Sequence, residues 1–255
     1  MTSVLRRVTG FEAAQVSAFG RDMLSGLAAA QKQVPGHWLH DADGAALYAA
    51  FTASAAHTAV RSEQLLLQHC GAEIAALAGR RRTLFVSCAA FSRQGPDEAL
   101  AWLQRAASDA DNDALLVLGA DATLDARALL ALYGDPACAA FNRHLLVRCK
   151  RELGADFELD KFEHQARFDV RQRRIELHLV SRCEQQVRLL GRRFALAAGE
   201  SIHSASFHHH SLLRVQAMAS RAGWSQRQLW TDGSARFALH VFERSVRPTA
   251  PAPSP

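Results

Sequence analysis

Hydrophobic residues recur at helical spacing in the centre of the chain, at Phe141, Leu145, Leu146 and Cys149. This spacing predicts an amphipathic helix, which Gly154 is expected to end. Asp160 then begins a capping-box pattern, which predicts a short second helix. Residues 174–180 alternate between polar and apolar side chains, and this alternation predicts a half-buried strand.

The remaining chain alternates between predicted strands and helices. Apolar runs at residues 83–88 and 114–118 are typical of buried strands. Further predicted elements are helices within 11–30 and at 44–51, 62–79, 96–106, 124–132 and 212–222, a β-hairpin around Gly191, and a strand at 236–242. This alternation favours an α/β fold with a doubly wound sheet.

Composition fits a soluble protein that makes no contact with nucleic acid or membrane. The chain has 255 residues, of which 49% are hydrophobic and 22% charged, enough for one large domain or two small ones. Its net charge of +5 is spread along the chain, and only 7% of residues are aromatic. Because a nucleic-acid interface needs a one-sided basic patch with stacking aromatics, we expect the arginine clusters to lie on a solvated face. No apolar run approaches the roughly 18 residues of a membrane span.

The cysteines and the N-terminus favour a cytoplasmic protein. The five cysteines form no C-x-x-C pair, and their odd number argues for reduced, buried thiols. Arg6 and Arg7 are followed by Thr9, Gly10 and Phe11 rather than by the long apolar core of a signal peptide.

Several runs of sequence closely resemble one enzyme family. These runs are AFNRHLL, RELGADF, FEHQARFD and RIELHLVSR, with further similarity at 39–44, 61–63, 113–116, 199–202 and 230–232. They resemble the histidine-specific, S-adenosylmethionine-dependent Nα-methyltransferases of ergothioneine biosynthesis. The resemblance covers most of residues 20–244. It implies a methyltransferase sheet domain, a mixed α+β second domain for the substrate, and S-adenosylmethionine as cofactor.

The resemblance also implies a gap inside the chain. In the family, a strand, a glycine-rich loop and further strand–helix units follow the helix that ends here near Gly79. Here only residues 80–83 separate this helix from the strand at 84–88, whereas one βαβ unit takes roughly 30 residues. The glycine-rich turn lets the backbone approach a nucleotide-type cofactor. We therefore expect a truncated sheet with no cofactor-binding and no catalytic residues; a deletion in the gene model is an alternative origin of the gap.

We expect the chain to form two units, each built from two separate stretches of sequence. Residues 1–78 with 130–215 form a region like the substrate domain, and residues 79–129 with 216–246 form a remnant of the sheet domain. A disordered, proline-rich tail is expected at 247–255.

Most residues that the family uses to hold histidine are replaced in this sequence. The paired tyrosines of the family fall on His57 and Thr58, its asparagine near Arg93, its glutamate on Ala205 and its serine on Phe207. Losing the carboxylate partner of an imidazole should cost about 2–5 kcal/mol of binding. A tyrosine that contacts the substrate carboxylate is retained at Tyr133. The predicted remnant pocket consists of Tyr48, His57, Tyr133 and Asn142.

Four histidines, His203 and His208–His210, raise the alternative of a metal-binding module. Consecutive residues on a strand point to opposite faces, and no carboxylate or cysteine stands at ligand spacing. We expect no metal site, and predict that these histidines cover the start of the next helix.

Two functions remain open. The first is a non-catalytic relative that acts as a binding or partner subunit, with an amino acid as its expected ligand. The second is a working methyltransferase on histidine or a related amino acid, which either binds S-adenosylmethionine in an unfamiliar way or completes its site with a partner chain. In the family's sheet, the strand equivalent to Leu84–Cys88 is central. Without its neighbour it becomes an apolar edge that invites pairing, so we expect a homo- or hetero-oligomer, with itself or with an intact relative, through this strand.

Overall fold

The computed structural model describes residues 16–244. The first residues of the predicted helix at 11–30, the segment with Arg6 and Arg7, and the predicted tail at 247–255 lie outside these residues. No helix within 16–244 has the length and apolarity needed to cross a membrane.

The secondary structure follows the predicted alternation of strands and helices. The helices are α1 (Ala18–Ala28), α2 (Ala42–Ala53), α3 (Thr58–Ala78), α4 (Cys88–Phe91), α5 (Pro96–Ser108), α6 (Ala126–Tyr133), α7 (Pro136–Leu153) and α8 (Leu212–Arg221). The strands are β1 (Thr83–Val86), β2 (Leu115–Asp121), β3 (Phe162–Asp169), β4 (Arg174–Ser181), β5 (Gln185–Leu189), β6 (Arg192–Leu196), β7 (Ser201–His208), β8 (Trp224–Thr231) and β9 (Phe237–Arg244). Short 3₁₀ turns lie at Gly36–Leu39 and Leu159–Lys161.

Local sequence fixes the ends of the central helix, α7. The Asp135 carboxylate accepts a hydrogen bond from Ala137 N at 2.8 Å, and Pro136 occupies the first helical position, where a missing N–H costs nothing. At the other end Gly154 adopts φ +62°, a conformation that favours glycine. The prediction of this helix and of its end at Gly154 is confirmed.

A four-stranded sheet in the order β1-β2-β9-β8 forms one half of the molecule. β1 and β2 are parallel, whereas β9 runs antiparallel to both of its neighbours, β2 and β8. Helices α5 and α8 pack on one face and α3 on the other. The predicted α/β sheet with helices on both faces is thereby confirmed. Within the described residues β1 has a single neighbouring strand and forms an edge of the sheet.

The other half is a mixed α+β unit. Its antiparallel sheet has the order β3-β4-β7, and β5 and β6 form the hairpin predicted around Gly191. Helices α1, α2, α6 and α7 share a continuous apolar core with these strands. Phe141, Phe162 and Leu179 are fully buried within this core.

Several elements differ from their sequence-based prediction. The segment expected to continue as a helix after Asp160 is the strand β3, in which buried Phe162 is followed by exposed Glu163; the capping-box pattern produces only the turn Leu159–Lys161. The strand predicted to end at Cys88 ends at Val86, because Ser87 Oγ accepts a hydrogen bond from Ala90 N and caps α4. Strands β7 and β8 had no prediction.

Helix α3 packs against the sheet, although the predicted division at residue 78 groups it with the other unit. Its apolar residues, Val60, Leu66, Leu67, Ile74 and Leu77, contact the core formed with β2 and β9. On this face Glu63 reaches the end of β1, where its Oε1 accepts a hydrogen bond from Cys88 N at 2.8 Å.

Replacing Gly119 with alanine should destabilise the protein. A Cβ there would lie 1.9 Å from Glu63 Oε1 and 3.0 Å from Cys88 N. Glu63 would have to leave its hydrogen bond, so we expect Gly119→Ala to lower the free energy of unfolding by about 1–3 kcal/mol. Urea denaturation measures this loss.

Gly71→Ala is the matched control. Gly71 lies inside α3, and an added Cβ meets no atom within 4 Å. Because alanine favours helix, this variant should gain up to about 1 kcal/mol. Equal effects of the two substitutions would contradict the close contact between Glu63 and Gly119.

Candidate functional site

A cavity of about 1000 Å³ lies where the two halves of the molecule meet. The mixed unit contributes the segment around Gly36–Leu39 and one end of β7, and the sheet unit contributes the loop from α4 to α5. Its ionisable lining residues are Asp22, His37, His40, Arg93, Asp97, Glu98, Arg174, His203 and His208. The walls are therefore polar, with charges of both signs.

Arg93 is the cation available to a ligand. Its Nη1 lies 3.0 Å from His40 Nε2, and its guanidinium lies 5.6 Å from the centre of the Tyr48 ring. Among the described residues no carboxylate lies within ion-pair distance of Arg93. Arg174, by contrast, is held by Glu176, whose Oε1 lies 2.9 Å from Arg174 Nε.

Burial lowers the pKa values of several histidines at and beside the cavity. Burial, together with the charge of Arg93, lowers the pKa of His40 to about 4. Burial likewise lowers the pKa values of His208 and His210 to about 4. At pH 7 these rings are uncharged, so His40 can accept a hydrogen bond from Arg93.

Two buried polar atoms at the cavity have no hydrogen-bond partner in the part of the chain that the structure describes. They are His208 Nδ1 and Gln94 Oε1. The His208 ring stacks on His210 with centroids 5.9 Å apart, and His210 Nε2 lies 3.1 Å from Gln94 O. Because buried polar groups are nearly always paired, these atoms indicate a place for a ligand or an ordered water.

A second polar cluster lies at the carboxyl ends of β1 and β2. Burial raises the pKa of Glu63 to about 7. Asp121, at the end of β2, lies 3.4 Å from His209 Nδ1. Burial would raise the pKa of Asp121, but the nearby His209 ring and the hydrogen bond from Thr123 N hold it below its ordinary value.

This cluster lies at the end of the sheet where S-adenosylmethionine would have to bind. In doubly wound sheets a nucleotide-type cofactor lies at the carboxyl ends of the strands, against a glycine-rich turn. Here that end is filled by Glu63, and Gly119 makes its closest approach to the same carboxylate. Residues 79–82 alone connect α3 to β1. Residues 16–244 contain no strand–loop–helix unit with spaced glycines, the unit that holds such a cofactor in doubly wound sheets.

Three of the four residues predicted for the remnant pocket come together in one aromatic cluster. Tyr133 is 3% exposed, and its ring lies 5.0 Å from that of Phe207. The Tyr48 ring stacks on the Phe207 ring, with centroids 6.2 Å apart. His57 packs against Phe51 at 5.1 Å, and burial lowers its pKa. Phe207, the residue aligned with the family's serine, thus packs against both tyrosines.

Asn142 lies apart from the other three and is fully buried. Its Nδ2 lies 2.9 Å from His164 Nδ1 and donates to His178 O at 3.1 Å. Its Oδ1 accepts a hydrogen bond from Ser204 Oγ. Its polar atoms therefore link α7 to strands β3, β4 and β7.

None of the four predicted residues lines the cavity. Sequence reasoning assigned no binding role to Arg93, Gln94 or His208. Arg93 was noted only as the neighbour of a missing asparagine, and His208 as one of a run of histidines. That run gathers into no metal-ligand set among the described residues. His203, for example, is paired with Ala205 O and Ser206 Oγ, both at 3.0 Å.

Asn142→Ala should destabilise the protein strongly. The substitution leaves buried groups of His164, His178 and Ser204 without their partner, which should cost about 2–3 kcal/mol. Urea denaturation tests this, with the exposed neighbour Arg143→Ala as the control, expected to change stability by at most about 0.5 kcal/mol. A wild-type unfolding curve for Asn142→Ala would contradict the linking role.

Glu63→Gln should change how stability depends on pH. Because folding raises the pKa of Glu63 from 4.5 to about 7, its stabilising effect is complete below pH 4.5 and is lost as pH rises through about 7. The variant should match the native chain near pH 4.5 and exceed it above pH 7 by on the order of 1–3 kcal/mol. Urea denaturation at both pH values measures the difference, and an equal difference at each would contradict the buried, protonated carboxyl.

Comparison with known proteins gives the family. The model of the family described as histidine-specific methyltransferase, SAM-dependent, matches residues 19–92 and 80–244. The histidine N-alpha-methyltransferase of Mycolicibacterium smegmatis is 38% identical over 133 residues, which are 51% of this chain and 41% of that protein. The enzyme of the same name from Mycobacterium tuberculosis is 35% identical over 130 residues, 49% of this chain and 40% of that protein. The chain thus covers about two fifths of these relatives.

Solved structures show a looser likeness. The CcbJ methyltransferase from Streptomyces caelestis matches with a TM-score of 0.35 and 13% identity, over 66% of this chain and 59% of that one. An S-adenosylmethionine-dependent methyltransferase from Clostridium acetobutylicum matches with a TM-score of 0.35 and 6% identity, over 65% and 60%. Scores this low support no comparison of individual residues. The match of the family model along nearly all described residues carries the assignment, and the chain belongs to the histidine-specific, S-adenosylmethionine-dependent methyltransferase family.

Proposed function

We propose that this chain is a non-catalytic member of its family. It binds histidine or a related amino acid in the cavity between its halves and transfers no methyl group by itself. The observation that carries the proposal is the edge position of β1, joined to α3 by residues 79–82 alone. The side of the sheet that would hold a cofactor lacks its strands within residues 16–244.

The cavity suits a zwitterion. Arg93 can pair with a carboxylate, because no protein carboxylate neutralises it in the described structure. Asp97, exposed on the first turn of α5, can pair with an ammonium group. His208 and Gln94 add hydrogen-bonding atoms that have no partner within residues 16–244. Each part of a free amino acid therefore has a partner of suitable chemistry on the wall.

The relatives support this ligand class. The two similar proteins are named histidine N-alpha-methyltransferases, and the resemblance links the family to ergothioneine biosynthesis. Phe207 packs against Tyr48 and Tyr133, so the ligand lies in the adjoining cavity rather than between the tyrosines. We propose a cytoplasmic site of action, where free amino acids are abundant.

A second candidate function rests on the same edge strand. A partner chain that placed strands beside β1 would rebuild the missing side of the sheet. The assembly would then be a methyltransferase acting on histidine or a related amino acid. The open edge of β1 favours this candidate, whereas the carboxylate of Glu63 at the end of β1 opposes it.

Calorimetry with the full chain separates the two functions. L-histidine, with a panel of other free amino acids, should release heat on titration, and S-adenosylmethionine should release none. Arg93→Gln should weaken amino-acid binding by about tenfold or more, since a hydrogen bond to a charged group is lost. Arg127→Gln, at an exposed position on α6, is the matched control and should bind as the native chain does.

A methyl-transfer assay completes this test, with the Mycolicibacterium smegmatis enzyme as positive control. Methyl transfer by the isolated chain would overturn the non-catalytic assignment. Absence of heat with every amino acid would overturn the binding role. If Arg93→Gln binds amino acids as tightly as the native chain does, the ligand lies away from Arg93.

A further inference from the structure

The open edge of β1 is an interaction surface. We propose that it pairs with the same edge of a second copy of this chain, in antiparallel orientation, so that the two sheets become continuous. The backbone at this edge, its two faces and its charges each support this occupant.

Backbone hydrogen-bonding groups point outward from β1. Arg82 O accepts a hydrogen bond from Leu115 N at 2.9 Å, so the backbone groups of Arg82 point toward β2. In a parallel pair, alternate residues of a strand bond to the same neighbour. The N–H and C=O groups of Thr83 and Phe85 therefore point away from β2, and no other strand within residues 16–244 accepts them.

One face of the edge is apolar and uncovered. Phe85 is opposite Val117 in the register, on the face that carries α3, and is 51% exposed. Helix α3 packs mainly over β9, two strands away, and leaves the space above β1 open. The strand itself contains no lysine or proline, the residues that usually guard an edge against pairing.

The other face has a groove beside the strand. This groove of about 260 Å³ lies between β1 and α5 and is lined by Leu84, Trp102, Ala106 and Ala110, with Arg82, Arg105 and Asp109 at its rim. An added strand would place an apolar side chain next to Leu84, at the mouth of the groove. Edge pairing that combines backbone bonds with a side-chain pocket is a recurrent mode of strand addition.

Charge and symmetry select the orientation. Arg80, Arg81 and Arg82 precede β1 and are exposed. Parallel pairing would bring two such clusters side by side, whereas antiparallel pairing places them at opposite ends. A two-fold axis between the Leu84 residues then sets Thr83 of each copy opposite Phe85 of the other. The outward backbone groups bond reciprocally, as an isologous interface requires.

Sedimentation velocity over about 1–100 μM protein tests this pairing, a range set by the weak affinity expected of a small interface. The native chain should sediment with twice the mass of one chain as concentration rises. Phe85→Lys should weaken the dimer at least about tenfold, because it sets a charge at the centre of the edge. Leu213→Lys, which changes an apolar residue 78% exposed on α8, should leave the dimer intact.

Cross-linking tests the register independently. With Leu84→Cys, the two new thiols face each other across a non-hydrogen-bonded antiparallel pair, where Cα atoms lie about 4.5 Å apart. Mild oxidation should yield a covalent dimer from this variant and none from the native chain, whose cysteines are buried apart from half-buried Cys183.

Three results would overturn the proposal. The first is a native chain that stays monomeric over the whole range of protein concentration. This result counts against the proposal even if the chain forms a complex with an intact relative. The second is a dimer that Phe85→Lys leaves unchanged although its circular dichroism is native. The third is a dimer in which Leu84→Cys does not cross-link.

Discussion

The hydrogen bond from Cys88 N to Glu63 is the contact on which the sheet unit depends. It ties α3 to the point where β1 ends and α4 begins, and the same carboxylate packs against Gly119 of β2. Residues 79–82 can therefore join α3 directly to β1 without leaving the end of the sheet open. In a doubly wound sheet this end usually faces a ligand. Here a side chain of the protein fills it, and burial raises the pKa of that side chain to about 7.

In the cavity between the halves, burial acts on imidazoles rather than on a carboxyl group. His40 and His208 are buried enough that their pKa values fall to about 4, and their rings are neutral at pH 7. Glu176 pairs with Arg174, whereas Arg93 has no carboxylate partner among the described residues. Burial thus acts in opposite directions on the two kinds of group: it raises the pKa of the Glu63 carboxyl to about 7 and lowers the pKa values of His40 and His208 to about 4.

Local patterns predicted most elements because local interactions determine them. The spacing that ends at Gly154 and the alternation in β4 are properties of short windows, and both predictions are confirmed. The segment after Asp160 was mispredicted because β4 pairs with it and overrides a helical capping signal. The cavity could not be derived in this way. Arg93 follows β1 and His208 ends β7, so only tertiary packing brings them to one cavity. Asn142 shows the converse: a family motif identifies it, but only the structure shows its partners to be His164, His178 and Ser204.

Binding an amino acid and transferring a methyl group to it require different features of the protein. Transfer requires a cofactor and an acceptor held within a few tenths of an ångström of reactive geometry, and that demand falls on both halves at once. Binding requires only that the wall pair with the ligand's charges. In this chain Glu63 fills the carboxyl end of β1, while Phe207 packs against Tyr48 and Tyr133. Among the described residues, neither feature pairs with the Arg93 guanidinium or with His208 Nδ1. On the proposed function, an amino acid could thus be held by the surviving wall although nothing holds a methyl donor beside it.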